Sequence, residues 1–363
     1  MTKKDLAILG IVGVPANYGG FETLVDNLLD SLTTFYNVTV FCESTAYDEK
    51  LESYKGAKLV YINKKANGSQ SIIYDIVCLL KSYRKFDHIL LLGVSGAIIL
   101  PFIKPFASAK IITHIDGLEW KRDKWGWFAK KFLKFSEYLA VKFSDGIVAD
   151  NKHIQEYVTN EYQKDSFLIA YGANHVMHVD PISYYLKKFS FLGSPFVFTV
   201  CRIEPENNVE MQLKAFKECK IGMPYVVVGN WNANEYGMKL YHDYSKVDNI
   251  ILYNPIYEME ELNVLRSNCF FYLHGHSAGG TNPSLVEAMY LGLPVIAFGV
   301  NYNRETTFGK ALYFNTFEEL KDLLFKLKEH DRDQLIHDLS NLAKKNYSWK
   351  AITKKYVKMF KSI

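Results

Sequence analysis

The stretch that decides the fold is HGHSAGGTNPSLVEAMYLGLPV, residues 274–295. An apolar run at 269–273 precedes its glycine-rich turn, a segment of helical period follows at 284–291, and a second apolar run begins at 294. Short apolar runs that alternate with segments of helical period are typical of a parallel β-sheet with crossover helices. The stretch therefore predicts one strand–helix–strand unit of an α/β fold.

The same alternation continues in both directions and forms two series. In the first half we expect strands at 6–12, 38–42, 58–62, 88–92, 110–115, 146–149 and 167–170, and helices at 21–33, 71–83 and 128–143. In the second half we expect strands at 196–200, 225–228, 249–252, 269–273 and 294–297, and helices at 208–218, 258–267, 284–291 and 316–328. The pattern lapses between 171 and 195.

This pattern predicts two tandem Rossmann-like, doubly wound domains, 1–185 and 195–345. Such sheets bind ligands outside the carboxyl ends of their strands, so we expect a ligand in an interdomain cleft.

Composition bounds the class of protein. Of 363 residues, 48% are hydrophobic and 23% are charged, which suffices for two buried cores. The net charge of +4 is too small for a nucleic-acid-binding surface, so no nucleic-acid partner is expected. No signal peptide is expected, and the longest uncharged stretch, 89–103, is too short to span a membrane. The cysteines are scattered without a C-x-x-C pair, which argues against disulfides and favours the cytoplasm: Cys42, Cys78, Cys201, Cys219 and Cys269.

Gly19 and Gly20 lie between the first predicted strand and the first helix. Glycines allow a close backbone approach, and a helix start attracts anions, so this turn is suited to hold a phosphate or carboxylate of a donor. The stretch is neither G-x-G-x-x-G nor a P-loop, which disfavours dinucleotide and kinase sites. The alternative is a tight strand-to-helix turn without a ligand.

Arg202 and Glu287 follow strands of the second half. An Arg at the carboxyl end of a strand suits a diphosphate, because its planar fork donates paired hydrogen bonds. Glu287 lies about one turn inside a helix that begins near Ser284, where N–H groups favour an anion and a carboxylate can accept hydrogen bonds from both ribose hydroxyls. The alternatives are that Arg202 pairs with Glu204 or Glu206, and that Glu287 is a solvated acid complementing the helix dipole.

These motifs resemble a known family. Glu287-Ala-Met with Gly292-Leu-Pro294, after Arg202 and Pro205-Glu206, resembles the retaining glycosyltransferases of family 4, which have the glycosyltransferase-B fold. Further stretches are similar to a narrower branch, the bacterial rhamnosyltransferase-like enzymes of capsule, exopolysaccharide and O-antigen assembly: 15–23, 93–97, 116–125 and 279–283.

The resemblance implies a retaining hexosyltransferase that needs no metal and no cofactor. Its implied donor is dTDP-L-rhamnose, and its implied acceptor is a saccharide linked to a lipid diphosphate. We therefore expect a cytoplasmic protein, peripheral at the inner face of the plasma membrane. The fold resemblance also implies that a final helix, 346–363, packs back on the first domain.

Two positions depart from the family pattern. In the family's pair of glutamates Glu287 matches the second, whereas Gly279 stands at the first, which in relatives contacts the donor sugar. Asn207 stands where relatives tend to have a diphosphate-binding Lys, so Arg202 is expected to carry more of the charge stabilisation in catalysis. The sugar contact is expected to pass to backbone N–H groups and to nearby donor-binding residues: Gly280, Thr281 and Asn282.

His114 and Asp116 follow a strand of the first half. In the broad family a His at such a position approaches the donor sugar, so the resemblance implies that these two residues are catalytic. The alternative is a packed core histidine followed by a solvated loop.

A basic and aromatic segment at 120–135 holds six Lys or Arg against one acid, with three Trp and three Phe. Such a composition is typical of a helix that lies on an anionic membrane. The alternative is an amphipathic helix that covers the first sheet. The expected acceptor or membrane contacts are Glu119, Trp120, Lys121, Arg122, Trp125 and Trp127.

No metal site is expected. His274 and His276 lack a third ligand at suitable spacing, and Asp331-Arg-Asp333 lies between charge-rich helical segments, where it is expected to cap a helix. The donor could instead be another nucleotide sugar, such as a UDP-hexose. Two other functions stay open, a sugar-nucleotide epimerase of similar fold and a non-catalytic sugar-nucleotide binder.

Overall fold

A computed structural model describes residues 2–16, 19–115, 117–121 and 126–363. Contacts divide the chain into two compact units. The first consists of Met1–Tyr171 together with Trp349–Ile363, and the second is Gly172–Ser348. The division falls at the start of the segment in which the sequence pattern lapses.

The first unit is built on a sheet with the strand order β3-β4-β2-β1-β5-β6-β7-β8. The strands are β1 Lys4–Leu9, β2 Tyr36–Glu43, β3 Ser53–Tyr54, β4 Ala57–Ile62, β5 His88–Leu92, β6 Lys110–Ile115, β7 Gly146–Ala149 and β8 Phe167–Leu168. Neighbours are parallel except the pair of β3 and β4. The helices that precede the second unit are α1 Gly20–Leu32, α2 Ser71–Ser82, α3 Leu100–Ile103, α4 Trp127–Phe143 and α5 Lys152–Tyr162.

The second unit is built on a parallel sheet with the order β11-β10-β9-β12-β13-β14. Its strands are β9 Val197–Val200, β10 Tyr225–Val228, β11 Ile250–Tyr253, β12 Phe271–His274, β13 Val295–Phe298 and β14 Leu312–Phe314. Its helices are α6 Ser183–Lys188, α7 Val209–Cys219, α8 Glu235–Tyr244, α9 Met259–Asn268, α10 Pro283–Tyr290, α11 Asn301–Thr306, α12 Phe317–Phe325 and α13 Arg332–Asn346. Asp331 caps α13 by accepting a hydrogen bond from Gln334 N–H, as the sequence predicts.

The last helix, α14 Trp349–Ser362, belongs to the first unit and contacts α1. Its apolar side is buried against that unit. The Tyr356 hydroxyl lies 3.0 Å from His114 Nδ1, and the Phe360 ring packs edge-on against Tyr36 at 5.4 Å.

The prediction of two doubly wound α/β sheets is confirmed. Central strands are apolar runs because both faces of a parallel sheet are covered, and every residue of β5 is buried. The sequence predicts that β1 extends to Val12. In the structure the strand ends at Leu9, because Gly10 turns the chain at φ +89°. Helix α8 was not predicted, and its inner side consists of Tyr236, Leu240 and Tyr244.

The described part of the chain contains no helix with the length and apolar character that crossing a bilayer requires.

The turn at Gly10 gives a test of the first unit. A Cβ at Gly10 would overlap the carbonyl oxygen of Leu92 on the neighbouring strand, in a backbone conformation that side chains rarely adopt. We expect Gly10→Ala to lower the free energy of unfolding by about 3 kcal/mol, because strain and overlap add.

Gly126→Ala is the matched control, since no atom of the described residues lies within 4 Å of a Cβ at Gly126. Urea unfolding followed by circular dichroism measures both variants. Equal stability losses in the two would contradict the role of Gly10.

Candidate functional site

The second unit has its topological switch point between β9 and β12. The chain runs outward from β9 to β10 and β11, then returns to place β12 on the other side of β9. At such a point the loops that follow the two strands diverge and leave a crevice at the carboxyl edge of the sheet. The two loops here are 201–208 and 275–282, which contain four of the predicted donor-binding residues: Arg202, Gly280, Thr281 and Asn282.

These two loops are fastened to each other by hydrogen bonds. Asn208 Nδ2 donates to the Gly275 carbonyl at 2.8 Å, and the Ser277 N–H donates to the Glu206 carbonyl at 2.8 Å. The Asn207 amide spans the junction, because its Nδ2 donates to the Arg202 carbonyl at 2.8 Å while its Oδ1 lies 2.8 Å from His276 Nδ1. The loops therefore form one preorganised ledge.

Asn207 thus has a structural role at the position where the resemblance predicts a Lys. A lysine at this position lacks an acceptor and cannot form both bonds of the amide. The side chain of Arg202 is partly buried at the start of the same ledge. The contact of Arg202 with a diphosphate stays a prediction.

Glu287 lies in α10 and is buried rather than solvated, with only 6% of its surface exposed. Its Oε2 is 2.5 Å from Arg266 Nη2, and its Oε1 is 3.1 Å from His175 Nε2. The alternative of a solvated first-turn acid is therefore wrong. Arg266 is itself 5% exposed, so both members of this ion pair are buried.

The charges around Glu287 set its protonation. Burial favours the neutral acid, but Arg266 and His175 outweigh burial, and the pKa of Glu287 lies below its ordinary value. Glu287 is therefore a carboxylate at neutral pH. Each carboxylate oxygen has two acceptor positions, so one hydrogen bond to each oxygen leaves capacity for further hydroxyl donors.

Sequence reasoning missed Arg266 and His175. Arg266 follows the buried run Leu262–Leu265 on α9, and a cation within an apolar stripe is the feature that could have revealed it. His175 lies in the irregular segment after Tyr171, where no period indicates which way a side chain points. Only the folded structure brings α9, α10 and that segment together.

The start of α10 is capped by Asn282. Its side chain accepts hydrogen bonds from Ser284 N–H at 3.0 Å and from the Ser284 hydroxyl at 2.8 Å. Both donors of Ser284 are thereby used inside the protein, which weakens its predicted contact with an anion. Thr281 is 5% exposed and Gly280 is also buried, so both residues lie on the inner side of the loop.

The predicted anion cradle of the first unit contains a carboxylate of the protein. Glu22 in the first turn of α1 accepts a hydrogen bond from Val12 N–H at 2.9 Å. Gly19 lies against Glu22 Oε2, has φ +133°, and leaves no room for a Cβ. These contacts give Gly19 a packing role, and the negative charge of Glu22 disfavours a second anion beside Gly20.

His114 is fully buried inside the first unit. The Phe21 ring meets its ring at 5.1 Å, and burial lowers the pKa of His114 to about 3, so the ring is neutral. This environment matches that of a packed histidine. A direct contact with a sugar stays a prediction, and its expected neighbour Asp116 lies outside the described residues.

The basic and aromatic segment divides into a packed part and an exposed part. Glu119, Trp120 and Lys121 form a short 3-10 helix in which Trp120 Nε1 donates to the buried Glu137 at 3.1 Å. Lys134 lies 4.7 Å from the centre of the Trp120 ring. Trp120 therefore anchors the segment, whereas Trp127 is 65% exposed. The predicted contacts Arg122 and Trp125 lie outside the described residues.

In the described part of the chain, no group of three or more His, Cys, Asp or Glu residues could hold a metal ion. His274 is buried, and its pKa falls to about 3 because of that burial.

Solved structures share the fold of this chain. The chain superimposes on sucrose-phosphate synthase from Thermosynechococcus elongatus with a TM-score of 0.83 at 15% identity, covering 99% of each chain. It superimposes on HepE of Anabaena, solved with UDP-glucose, with a TM-score of 0.81 at 13% identity, covering 100% of each chain. The fold is thus the glycosyltransferase-B fold.

Two family models match separate parts of the sequence. Residues 3–174 match the family described as "Domain of unknown function (DUF1972)", and residues 186–312 match "Glycosyl transferases group 1". The first match lies almost wholly within the first unit, and the second match lies within the second unit. An uncharacterized glycosyltransferase of Methanocaldococcus jannaschii is 26% identical over 238 residues, which cover 62% of this chain and 60% of that protein.

The buried ion pair gives a test of the second unit. Arg266→Met leaves the Glu287 carboxylate buried with His175 alone, and we expect a loss of about 3 kcal/mol in the free energy of unfolding. The size of this stability loss depends on pH. In the wild type Glu287 has a lowered pKa, so its contribution is present at neutral pH and is lost on acidification through the folded-state pKa.

In Arg266→Met the cation is gone, so burial raises the pKa of Glu287. The difference in free energy of unfolding between the variant and the wild type should therefore become smaller as the pH falls from about 7 to about 4. The double variant Arg266→Met/Glu287→Leu, which removes both charges, should recover much of the loss. Urea unfolding at both pH values measures this, and a gap independent of pH contradicts the assignment.

Proposed function

We propose that this chain is a glycosyltransferase that moves a sugar from a nucleoside diphosphate onto an acceptor. The observation that carries the proposal is the buried Glu287 carboxylate, held in its charged form one turn inside α10 at the carboxyl edge of a doubly wound sheet. A carboxylate in this position suits the two hydroxyls of a ribose. The match of residues 186–312 to glycosyl transferases group 1 supports the same function.

In the proposed mechanism the ledge made by 201–208 and 275–282 receives the diphosphate. In this mechanism Arg202 stabilises the negative charge that develops on the departing diphosphate, and Gly280 and Thr281 are further donor-binding residues. In many enzymes, stabilisation of developing charge by fixed groups in a preorganised site lowers the activation barrier more than any other effect. His114 and Asp116 remain candidates for contacts with the sugar from the first unit.

The donor and stereochemistry are finer parts of the proposal. The family resemblance of 15–23, 93–97 and 279–283 supports transfer of L-rhamnose from dTDP-L-rhamnose with retention, onto a saccharide linked to a lipid diphosphate. A second donor class, UDP-hexoses, is favoured by the similarity in fold to HepE, which was solved with UDP-glucose. No metal or cofactor is proposed.

The proposed membrane-binding surface is an exposed face of α4, which would contact the membrane that holds the lipid-linked acceptor. Trp127 is 65% exposed, Phe128 is 82% exposed and Phe135 is 53% exposed. Lys131 and Lys142 are exposed on the same helix. Aromatic rings flanked by cations suit the headgroup region of an anionic bilayer, so we propose peripheral binding at the cytoplasmic face of the membrane.

Transfer should depend on Arg202. In an assay with dTDP-L-rhamnose, UDP-glucose and a lipid-linked acceptor, we expect Arg202→Ala to lower kcat/KM about 100-fold, since one donor to developing charge is lost. The kcat/KM of Arg202→Lys should lie between those of Arg202→Ala and the wild type, because lysine keeps the positive charge but lacks the paired donors of the guanidinium. Nucleoside diphosphate release and product mass measure transfer, and the anomeric configuration reports retention.

Arg332→Ala is the control, since Arg332 bonds the Phe270 carbonyl just before β12, at the opposite edge of the sheet. It should leave transfer within about threefold of the wild type. Wild-type transfer by Arg202→Ala would sink the assignment of Arg202, and absence of transfer from any donor by the wild type would sink the proposed function.

Membrane binding should depend on the exposed aromatic rings. We expect Trp127→Ser and Phe128→Ser each to lower partitioning into anionic vesicles about tenfold, because each removes a large apolar side chain from the interface. Phe325→Ser is the matched control, because Phe325 is 62% exposed on α12 of the second unit. Sedimentation with phosphatidylcholine vesicles, with and without phosphatidylglycerol, measures binding. An equal loss for Phe325→Ser would contradict the placement of the surface on α4.

A further inference from the structure

Helix α2 of the first unit is apolar on its outward side as well as on its buried side. The seven residues of α2 that are not buried include five apolar residues and no acid: Ser71, Ile72, Ile73, Ile76, Val77, Leu80 and Lys81. Helix α7 has the usual pattern instead, with a charged outward side: Glu210, Lys214, Lys217 and Glu218. A helix that is apolar all round is typical of a helix covered on every side.

Two phenylalanines extend this apolar surface beyond α2. Phe102 on α3 is 70% exposed, and Phe106 in the turn that follows α3 is 63% exposed. Arg84 connects that turn to the end of α2, because its Nε donates to the Phe106 carbonyl at 3.4 Å and its guanidinium carbon lies 5.8 Å from the centre of the Phe106 ring. The outward apolar residues together form the α2/α3 surface: Ile73, Ile76, Val77, Leu80, Phe102 and Phe106.

The α2/α3 surface adjoins α4. The turn 97–99, which precedes α3, contacts both α2 and α4, and α3 contacts α4 directly. The three helices therefore lie in one layer, on the same face of the first sheet. The exposed rings of α4 account for only a part of the apolar surface of this layer.

The charges beside the α2/α3 surface are positive. Lys81, Arg84 and Lys85 are exposed and follow Leu80 directly in the sequence. Asp87, which comes next, accepts a hydrogen bond from the Asp5 N–H at 2.7 Å. Apolar side chains bordered by cations complement an anionic bilayer, in which acyl chains need no hydrogen bonds and headgroups attract the cations. A protein partner would instead require a polar rim of both charges.

We propose that the α2/α3 surface is embedded in an anionic bilayer beside α4, with the outward side chains of α2 and α3 among the acyl chains and the three cations among the headgroups. The inference rests on the membrane binding proposed for α4 and extends it to two helices that no sequence motif indicated. Contact along one helix leaves the first unit free to turn about that helix. Contact along three helices fixes its orientation on the membrane.

Two substitutions test the apolar contact in the full chain. We expect Leu80→Ser to lower partitioning into vesicles of phosphatidylcholine and phosphatidylglycerol about fivefold, and Phe102→Ser to lower it about tenfold, because each removes apolar surface from the bilayer. Leu186→Ser and Phe325→Ser are the matched controls, since Leu186 is 41% exposed and Phe325 is 62% exposed in the second unit, against 48% for Leu80. Sedimentation with vesicles measures binding, and unchanged thermal unfolding shows that all four variants are folded.

A further pair of variants separates the apolar contact from the charge contact. The double variant Lys81→Gln/Lys85→Gln should weaken binding to vesicles that contain phosphatidylglycerol and leave binding to pure phosphatidylcholine vesicles unchanged. Leu80→Ser should weaken binding to both kinds of vesicle, because acyl chains are the same in the two.

The outcomes that overturn the inference are distinct from those that overturn the proposed function. If Leu80→Ser and Phe102→Ser bind vesicles as the wild type does while Trp127→Ser binds less, the contact is confined to α4 and the inference fails. A dimer that forms without lipid and dissociates in Leu80→Ser would assign the surface to a second copy of the chain, and the inference would fail as well. A wild type that binds vesicles but transfers no sugar from any nucleotide would leave the inference standing and remove the proposed function.

Discussion

A buried negative charge is the constraint on which the second unit depends. Glu287 is taken out of water, and that loss of hydration is tolerable only because Arg266 and His175 supply charge and hydrogen bonds. The three residues come from α10, α9 and the irregular segment after Tyr171. A carboxylate with this demand fixes the positions of all three chain segments, so the geometry of the candidate site is coupled to the stability of the fold.

The ledge formed by 201–208 and 275–282 is also held by paired polar groups, but these groups are neutral. Asn207 supplies one donor and one acceptor, and each meets a single partner of the opposite kind. Directional bonds of this type leave few alternative arrangements for the loops, in contrast to apolar packing, which tolerates rotation. Arg266 differs, since its Nε and Nη1 have no hydrogen-bond partner among the described residues. The guanidinium is thus held by the carboxylate alone.

Most of the fold could be predicted from the sequence because apolar runs mark strands that are covered on both faces. Glu287 and Arg202 could be proposed as site residues for the same reason, since each follows a clear strand. The sequence could not show that Glu287 is buried, because its partners lie in distant segments without motifs. It also could not show that Glu22 occupies the turn at Gly19, since a glycine pair looks the same whether it admits a phosphate or a side chain.

The position of α14 has a consequence for the order in which the chain matures on the ribosome. The second unit is continuous from Gly172 to Ser348, whereas the first unit is completed only by Trp349–Ile363. Until that last segment emerges, Tyr36 and His114 lack the aromatic rings of α14 that cover them. The unit translated first is therefore the unit finished last, and during synthesis it exposes apolar surface for as long as the second unit takes to be made.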